Sequence, residues 1–276
     1  MTRSFRRWPL AFSVLLLCGC ATELTRQPAP VPELKPGRLV GYLPIGERID
    51  SRAILPAPPA VGSAEAASDE AISRAALRLR DSDRWALAIR DANVNFPDAA
   101  GIYSCALGAP IDAEATPYTY QLLRRAASDA GYAGDGAKAF YKRGRPFVIN
   151  KQLPCTPEEK DSLGADRSYP SGHSATGTVW ALILVELAPD RAVALLKRGQ
   201  AYAESRVVCN MHWQSDTVQG RFVGAYSYSR MQASPEFKAD MRAAREELAA
   251  VRAKKLAPTR DCQAEAKALQ TTVPLF

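Results

Sequence analysis

The clearest hydrophobic pattern in the chain lies within residues 170–231. The stretch that follows Pro170 is apolar on almost every side of a helix, which is typical of a buried central helix. Its apolar residues are Val179, Trp180, Leu182, Ile183, Leu184, Val185 and Leu187. Asp190 then caps a helix predicted to reach about residue 207, and a further helix is predicted over residues 212 to about 231. These segments predict a core that is built from helices.

Helical spacing continues on both sides of this core. Further helices are predicted over residues 68 to about 93, 116 to about 130, 135–143, from 156 onward, and 234 to about 255. Residues 93–110 are loop-like, and no segment shows the alternation of a half-buried strand. The sequence therefore predicts an all-α fold, a single helical-bundle domain of residues 61–256 around the central helix.

The N-terminus differs from this helical region. In residues 1–19, three arginines precede an apolar run that is too short to span a bilayer, which is typical of a signal peptide. The run ends on Leu17-Cys18-Gly19-Cys20, which resembles the bacterial lipobox. We therefore expect lipidation at Cys20 and a periplasmic protein anchored to the outer membrane. A plain signal peptide cleaved near Ala21, which leaves a soluble periplasmic protein, is the alternative.

Composition and charge narrow the possible partners. Residues 20–60 are rich in proline and are expected to form a tether and an extended segment, and residues 257–276 a C-terminal tail. The net charge of +7 falls to +4 without the three arginines of residues 1–19. With so mild an excess and no basic block, nucleic acid is not expected as a partner. No other apolar run approaches the ~20 residues of a transmembrane helix, so only a lipid anchor is expected to reach the membrane.

The residues with the strongest chemical character lie in three short segments between positions 138 and 216. Lys138, Arg145 and Arg206 provide one ammonium and two guanidinium groups, which suit the oxygens of a phosphoryl group. Ser171 and Gly172 begin the buried helix, where free backbone N–H groups and the positive end of the helix dipole bind anions. These residues are the candidate phosphate-binding set.

The two histidines of the chain, His173 and His212, both lie in these segments. His212 and Asp216 are four residues apart on a predicted helix, so the carboxylate can hold one ring nitrogen and leave the other as a nucleophile. His173 is then the candidate acid that protonates the leaving group. Lys142 and Arg143, by contrast, are expected to be solvated.

Beyond residue 20, the cysteines are Cys105, Cys155, Cys209 and Cys262. An even number in an exported protein favours two disulfides, for which three pairings are possible. We favour Cys155–Cys209 with Cys105–Cys262, because Cys155 and Cys209 each lie close to a segment of the candidate site. A zinc site is the alternative, but the cysteines are scattered and form no C-x-x-C pair.

The three segments read Lys138-x6-Arg145-Pro146, Pro170-Ser-Gly-His173 and Ser205-Arg206-x5-His212-x3-Asp216. This pattern resembles the signature of the phosphatidic acid phosphatase type 2 superfamily, and the flanking residues resemble class A bacterial non-specific acid phosphatases. The likeness covers roughly residues 68–255. It implies a helical fold like that of acid phosphatases and vanadium haloperoxidases. It also implies an exported acid phosphatase that hydrolyses small phosphomonoesters without a metal or other cofactor.

The resemblance also implies a role for each motif residue. His212 is expected to form a phosphohistidine, His173 to protonate the leaving alkoxide, and Asp216 to support His212. The residues expected to hold the phosphate are Lys138, Arg145, Ser171, Gly172 and Arg206. The family further implies activity in mild acid, frequent homodimers and, through the phosphoenzyme, phosphoryl transfer to added alcohols. Arg167 stands where close relatives are expected to carry Gly, and an added cation there is expected to alter substrate preference.

Two alternative functions would use the same candidate phosphate-binding residues. A vanadium-dependent haloperoxidase would hold vanadate in the phosphate site with His212 as its ligand, although the short chain and the flanking residues argue against it. A lipoprotein without enzymatic activity would bind anions and turn over no phosphomonoester. Assays of halide oxidation with vanadate and of phosphomonoester hydrolysis separate these functions.

Overall fold

The computed structural model of the 276-residue chain describes residues 27–161 and 163–273. The predicted signal peptide and Cys20 lie outside these residues. Within them, the strands form one antiparallel hairpin of β1 (Glu33–Lys35) and β2 (Arg38–Leu39). The α-helices are α1 (Ser51–Ile54), α2 (Ala64–Leu77), α3 (Asp83–Ala92), α4 (Ser104–Leu107), α5 (Pro117–Ala133), α6 (Asp135–Tyr141), α7 (Pro146–Asn150), α8 (Gly172–Leu187), α9 (Ala192–Val208), α10 (Gln214–Met231), α11 (Pro235–Ala253) and α12 (Cys262–Leu269). The prediction of an all-α fold is confirmed.

The apolar helix α8 lies at the centre of the molecule, in contact with α5, α9 and α10. Its buried side chains include Val179, Trp180, Ile183 and Leu184. Two glycines let α10 approach the start of α8. A Cβ atom at Gly220 would lie 2.4 Å from the carbonyl oxygen of Ser171, and one at Gly224 would lie 2.5 Å from that of Ala175. Because neither position has room for a larger side chain, α10 and the residues before it are held against the N-terminus of α8.

The helix predicted over residues 68 to about 93 is two helices, α2 and α3. Ser63 caps α2, since its hydroxyl accepts a hydrogen bond from the N–H of Ala66 at 3.1 Å. Between the helices Asp81 adopts a φ of 64°, in the left-handed region. Ser82 then caps α3 through the N–H of Trp85 at 3.3 Å. The apolar periodicity runs across this break, so it did not reveal the turn.

Other boundaries also differ from those predicted. Helix α10 starts two residues after His212, so His212 precedes the helix and Asp216 lies in its first turn. The helix expected from residue 156 is a single 3-10 turn, Pro157–Glu159. The expected C-terminal tail contains α12, which Asp261 caps. The loop-like residues 93–110 include α4 and a 3-10 helix.

Part of the proline-rich N-terminal segment is fixed along α5 by buried polar contacts. The hydroxyl of Ser128 donates to the carbonyl oxygen of Leu39 at 2.7 Å. The N–H of Tyr42 donates to the carboxylate of Asp129 at 2.6 Å, and Arg125 donates to two carbonyl oxygens of the same segment. These bonds hold the β1–β2 hairpin beside α5.

The structure pairs Cys105 with Cys262 and Cys155 with Cys209, which is the pairing that the sequence analysis favours. The first disulfide joins α4 to the start of α12. The second joins the loop after α7 to the end of α9, three residues beyond Arg206. Both bonds use every cysteine of the described residues, so none is left for the zinc alternative. None of the described helices has both the length and the apolarity that crossing a membrane requires.

Candidate active site

A cavity of about 340 Å³ opens beside the N-terminus of α8. Its walls come from α5, α6, α8, the β1–β2 hairpin and the segments that precede α7 and α10. The residues of the sequence motifs that line it are Lys138, Arg145, Gly172, His173 and His212. The fold therefore brings residues from all three motif segments into one cavity.

Ser171 and Gly172 form the start of α8, as the sequence predicts. Ser171 is the N-cap, and its hydroxyl accepts a hydrogen bond from the N–H of Ser174 at 3.2 Å. Its own N–H donates to the carbonyl oxygen of Asp216 at 3.0 Å, which ties the two helix starts together. The first-turn N–H groups that follow the cap lack intrahelical acceptors, and with the helix dipole they favour an anion in the cavity.

Arg145 lies directly beside His212. One of its Nη1 hydrogens faces Nε2 of His212 at 3.0 Å, and Nη1 also donates to the carbonyl oxygen of Met211 at 2.9 Å. Further carbonyl oxygens bind Nε and Nη2 of the same guanidinium. Burial, followed by the charge of Arg206, lowers the pKa of Arg145 to about 10. The group therefore stays cationic below that pH and is held in one orientation.

His212 is buried, and its two ring nitrogens have different neighbours. Because a guanidinium only donates, Nε2 accepts from Arg145 and the ring proton lies on Nδ1. Nδ1 faces a carboxylate oxygen of Asp216 at 3.5 Å, which is longer than a hydrogen bond. Burial, and then the charge of Arg145, lower the pKa of His212 well below the ordinary histidine value. The ring is therefore neutral in mild acid, with the lone pair of Nε2 on the cationic side of the site.

Asp216 is fully buried, and its carboxylate accepts several hydrogen bonds. Oδ1 accepts from Nη1 of Arg143 at 2.6 Å. Oδ2 accepts from the hydroxyl of Ser168 and from the N–H of Trp213 at 2.8 Å. These donors fix the position of the carboxylate opposite Nδ1 of His212.

The prediction that Arg143 is solvated is wrong, whereas Lys142 is exposed as expected. The guanidinium of Arg143 lies between two buried carboxylates, 2.6 Å from Asp216 and 2.7 Å from Asp69. Asp69 also accepts from the N–H of Ser215 at 2.9 Å. Because Asp69 is 74 residues from Arg143, no local pattern indicates this network. It fixes the position of Asp216 beside His212.

Arg206 differs from other buried arginines of the bundle. Its side chain is fully buried, and Nε, Nη1 and Nη2 have no hydrogen-bond partner among the described residues. Arg198, on the same helix, instead pairs with Asp91 at 2.5 Å, and Arg84 donates to the hydroxyl of Ser205 at 2.9 Å. An unpaired cation in the interior is costly, so this guanidinium has the properties of a group whose acceptor is a ligand.

Lys138 reaches the same region from α6. Its Nζ donates to the carbonyl oxygen of Pro170, at the start of the Pro-Ser-Gly-His segment. Burial, and next the charge of Arg145, lower the pKa of Lys138 to about 7. A bound phosphate dianion would oppose this shift, since it favours the protonated amine.

His173 lies one residue inside α8, on the cavity wall. Its Nε2 lies 2.9 Å from the carbonyl oxygen of Ala92, which only accepts, so Nε2 carries a proton and Nδ1 is the free ring nitrogen. Burial, and then the charge of Arg206, lower the pKa of His173 well below the ordinary value. Arg167 lies at the rim of the cavity, where it pairs with Asp135 at 3.1 Å.

Comparison with known proteins identifies the family. A model described as the PAP2 superfamily matches residues 122–232, which include every motif residue. The non-specific acid phosphatase of Salmonella typhimurium is 36% identical over 243 residues, 88% of this chain and 92% of the relative. That of Providencia stuartii is 37% identical over 75% of this chain and 84% of the relative. The acid phosphatase of Zymomonas mobilis is 38% identical over 69% of this chain and 72% of the relative. With residues from all three motif segments lining one cationic cavity, the chain belongs to the class A bacterial non-specific acid phosphatases of the PAP2 superfamily.

Proposed function

We propose that this protein hydrolyses phosphomonoesters through a phosphohistidine formed on Nε2 of His212. Its family is one of phosphoric monoester hydrolases, for which small phosphomonoesters are the substrates. The observation that carries the proposal is the buried guanidinium of Arg206, unpaired among the described residues and close enough to act on the pKa of His173 and Arg145. A buried, unpaired guanidinium favours a bound anion, and its charge also acts on the neutral imidazole of His212.

Substrate binding supplies the acceptors that the cations lack. The phosphate oxygens bind Arg206, Arg145, Lys138 and the first N–H groups of α8, so the dianion replaces a buried excess of positive charge. A phosphate oxygen at Nη1 of Arg145 also competes with Nε2 of His212 for that donor. The Nε2 lone pair is then free to attack phosphorus.

In the first step, Nε2 of His212 forms the bond to phosphorus while the bond from phosphorus to the ester oxygen breaks. Positive charge grows on the imidazole ring, and Asp216 stabilises it from the side of Nδ1. Three donors hold that carboxylate, Arg143, Ser168 and Trp213, so little reorganisation is needed as the charge develops.

The leaving alkoxide takes its proton from His173. The bond from Nε2 to Ala92 orients the ring and leaves Nδ1 to carry the transferable proton. The bound dianion raises the pKa of His173 from its low value in the empty site, so the acid form arises when substrate is present. In the second step His173 accepts a proton from water, which attacks phosphorus and releases inorganic phosphate from His212.

Product partitioning tests this scheme. In the presence of EDTA and glycerol, p-nitrophenyl phosphate, phenyl phosphate and glucose 6-phosphate should all give glycerol phosphate as well as inorganic phosphate. The ratio of the two products should be equal for the three substrates at each glycerol concentration, because each reacts through the same phosphoenzyme after its leaving group has left. A ratio that depends on the leaving group would contradict the phosphohistidine, and loss of hydrolysis with EDTA would contradict a metal-independent reaction.

The pKa of Lys138 predicts the alkaline limb of the pH profile. The protonated amine binds phosphate, and with a pKa of about 7 it is lost as pH rises through 7, so kcat/KM should fall about tenfold per pH unit above that value. In mild acid Lys138 is charged and His212 is still neutral, so activity is retained. Lys138→Arg should move the alkaline limb to higher pH at reduced kcat/KM. Lys142→Arg, four residues along and exposed, is the matched control and should leave the limb in place.

We also propose that the protein is exported to the periplasm and anchored through Cys20. The disulfides Cys105–Cys262 and Cys155–Cys209 support an oxidising compartment. The soluble periplasmic form and the homodimer remain open predictions. The relatives named above are acid phosphatases, which supports a phosphatase over the haloperoxidase and the non-enzymatic lipoprotein.

A further inference from the structure

We infer that the cavity contains a second anion subsite centred on Arg38, which favours substrates that carry two phosphate groups on one small molecule. The inference rests on the proposed function, because the first phosphate is the group that reacts with His212. The second phosphate stays on the substrate and binds at the hairpin side of the same cavity.

Arg38 lines the cavity that contains both histidines, although it comes from strand β2 in the N-terminal segment. Arg38 is partly buried, and its side chain has neither a hydrogen-bond nor an ion-pair partner in residues 27–161 and 163–273. Other arginines on neighbouring elements have such partners, for example Arg125 with Glu236 at 2.8 Å and Arg143 with Asp69 at 2.7 Å. Arg38 therefore resembles Arg206 in having an unpaired guanidinium, and unlike Arg206 it lines the cavity.

The charge of Arg38 also acts on a buried side chain that packs against α8. Burial raises the pKa of Tyr202, and Arg206 and Arg38 are among the cations that oppose this rise. Tyr202 packs against Gly177 of α8, one turn beyond His173. Arg38 and Arg206 thus both act on the pKa of Tyr202, which packs against α8.

The backbone that carries Arg38 is fixed before any ligand binds. Ser128 of α5, which also lines the cavity, donates to the carbonyl oxygen of the next residue, Leu39, at 2.7 Å. Arg125 donates to the two carbonyl oxygens that follow, those of Val40 at 3.2 Å and Gly41 at 3.1 Å. A cation on a fixed backbone loses less conformational freedom when it binds an anion, so it contributes more to affinity.

The charges that line the cavity exceed what one phosphate needs. Three cations, Lys138, Arg145 and Arg206, are assigned to the reacting dianion. Lys35 adds a further cation from the hairpin, and Asp135, the carboxylate that lines the cavity, pairs with Arg167 at 3.1 Å. The hairpin side therefore stays positive when one phosphate is bound, and a second phosphate matches that excess.

The size of the cavity fits such a substrate. A sphere of the observed 340 Å³ is about 9 Å across. A phosphate bound at His212 therefore leaves room for a short carbon chain and a second phosphate in reach of Arg38. Longer substrates would extend past the rim at Arg167.

A comparison of a bisphosphate with the matching monophosphate tests the subsite. We would measure kcat/KM for 1,3-propanediol bisphosphate, whose two phosphates are identical and joined by a short carbon chain, and for 3-hydroxypropyl phosphate. Both would be tested with the wild type, Arg38→Met, Lys35→Met and Arg74→Met. The bisphosphate offers two reactive groups, so a ratio of about two is expected without a subsite. The wild type should prefer the bisphosphate by about tenfold or more, and Arg38→Met should bring the ratio close to two, since a charge-assisted bond to a phosphate is lost. Lys35→Met should lower the ratio by less.

Arg74→Met is the matched control, because Arg74 lies exposed on α2 and does not line the cavity. It should keep the wild-type ratio. A wild-type ratio near two, or an Arg38→Met ratio equal to that of the wild type, would overturn the subsite while the phosphatase function stands. If the wild type hydrolysed neither of these phosphomonoesters, the proposed function would fail and the subsite with it.

Discussion

The variant His212→Ala is expected to lower kcat for p-nitrophenyl phosphate by about 1,000-fold or more, since it removes the nucleophile. Nε2 of His212 is the unprotonated ring nitrogen that faces the cationic groups, and its pKa keeps it neutral in mild acid. Quenching the wild type during turnover of ³²P-labelled substrate should leave label on the protein that is stable in base and lost in acid. The variant should carry none, while thermal unfolding with added phosphate should still report a folded protein.

His173→Ala is the matched control, since it removes the second histidine of the same cavity. Without the acid, turnover should depend strongly on the leaving group. It should be much slower for glucose 6-phosphate and less affected for p-nitrophenyl phosphate, whose phenolate needs little protonation. If His212→Ala kept its phosphoenzyme label, or if both variants showed the same dependence on the leaving group, the assigned roles would be incorrect.

The variant Arg206→Met is expected to inactivate the enzyme and at the same time to stabilise the ligand-free fold. The wild-type side chain is fully buried and has no hydrogen-bond partner among the described residues, so an apolar chain of similar length removes a buried charge whose N–H groups are unsatisfied. We expect the free energy of unfolding without phosphate to rise by about 1 to 3 kcal/mol in urea titrations. In the same variant kcat/KM should fall by about 100-fold or more, because a donor to the reacting phosphate is lost.

The effect of inorganic phosphate on thermal stability gives an independent measure of the role of Arg206. Inorganic phosphate should raise the Tm of the wild type in proportion to the logarithm of its concentration above Kd, and it should have little effect on Arg206→Met. Arg198→Met is the control, because Arg198 is equally buried on α9 but pairs with Asp91 at 2.5 Å. That variant leaves a buried carboxylate unpaired and should lose about 3 to 5 kcal/mol. A similar loss in Arg206→Met would show that Arg206 is structural and would contradict its role in phosphate binding.

Much of the fold and the site was accessible from sequence because the relevant signals are local. The apolar residues of α8 recur on all sides of one helix, which indicates burial whatever its neighbours are. Ser171 and Gly172 mark a helix N-terminus through their own cap chemistry, and the predicted anion site rests on that helix start. The motif spacing around His173, His212 and Arg206 indicated the protein family, and the comparisons confirm that family.

The sequence-based predictions were wrong for features that depend on contacts between residues far apart in the chain. The helix of α10 starts after His212 because the carboxylate of Asp216 caps it through the N–H of Trp213, so the two side chains meet across a helix start. Arg143 appeared solvated because the sequence does not show that Asp69 folds against it. The sequence did not reveal the break between α2 and α3, because the helical spacing of apolar residues continues across it.

By itself, the sequence determined the helical class, the buried central helix and the residue types of a phosphate site. The tertiary structure alone decided which charges are paired. Arg143 and Arg198 form ion pairs with buried carboxylates, whereas Arg206 has no hydrogen-bond partner among the described residues. The physical reason is that periodicity and capping act over a few neighbouring residues, whereas the free energy of a buried charge depends on groups that come from anywhere in the chain.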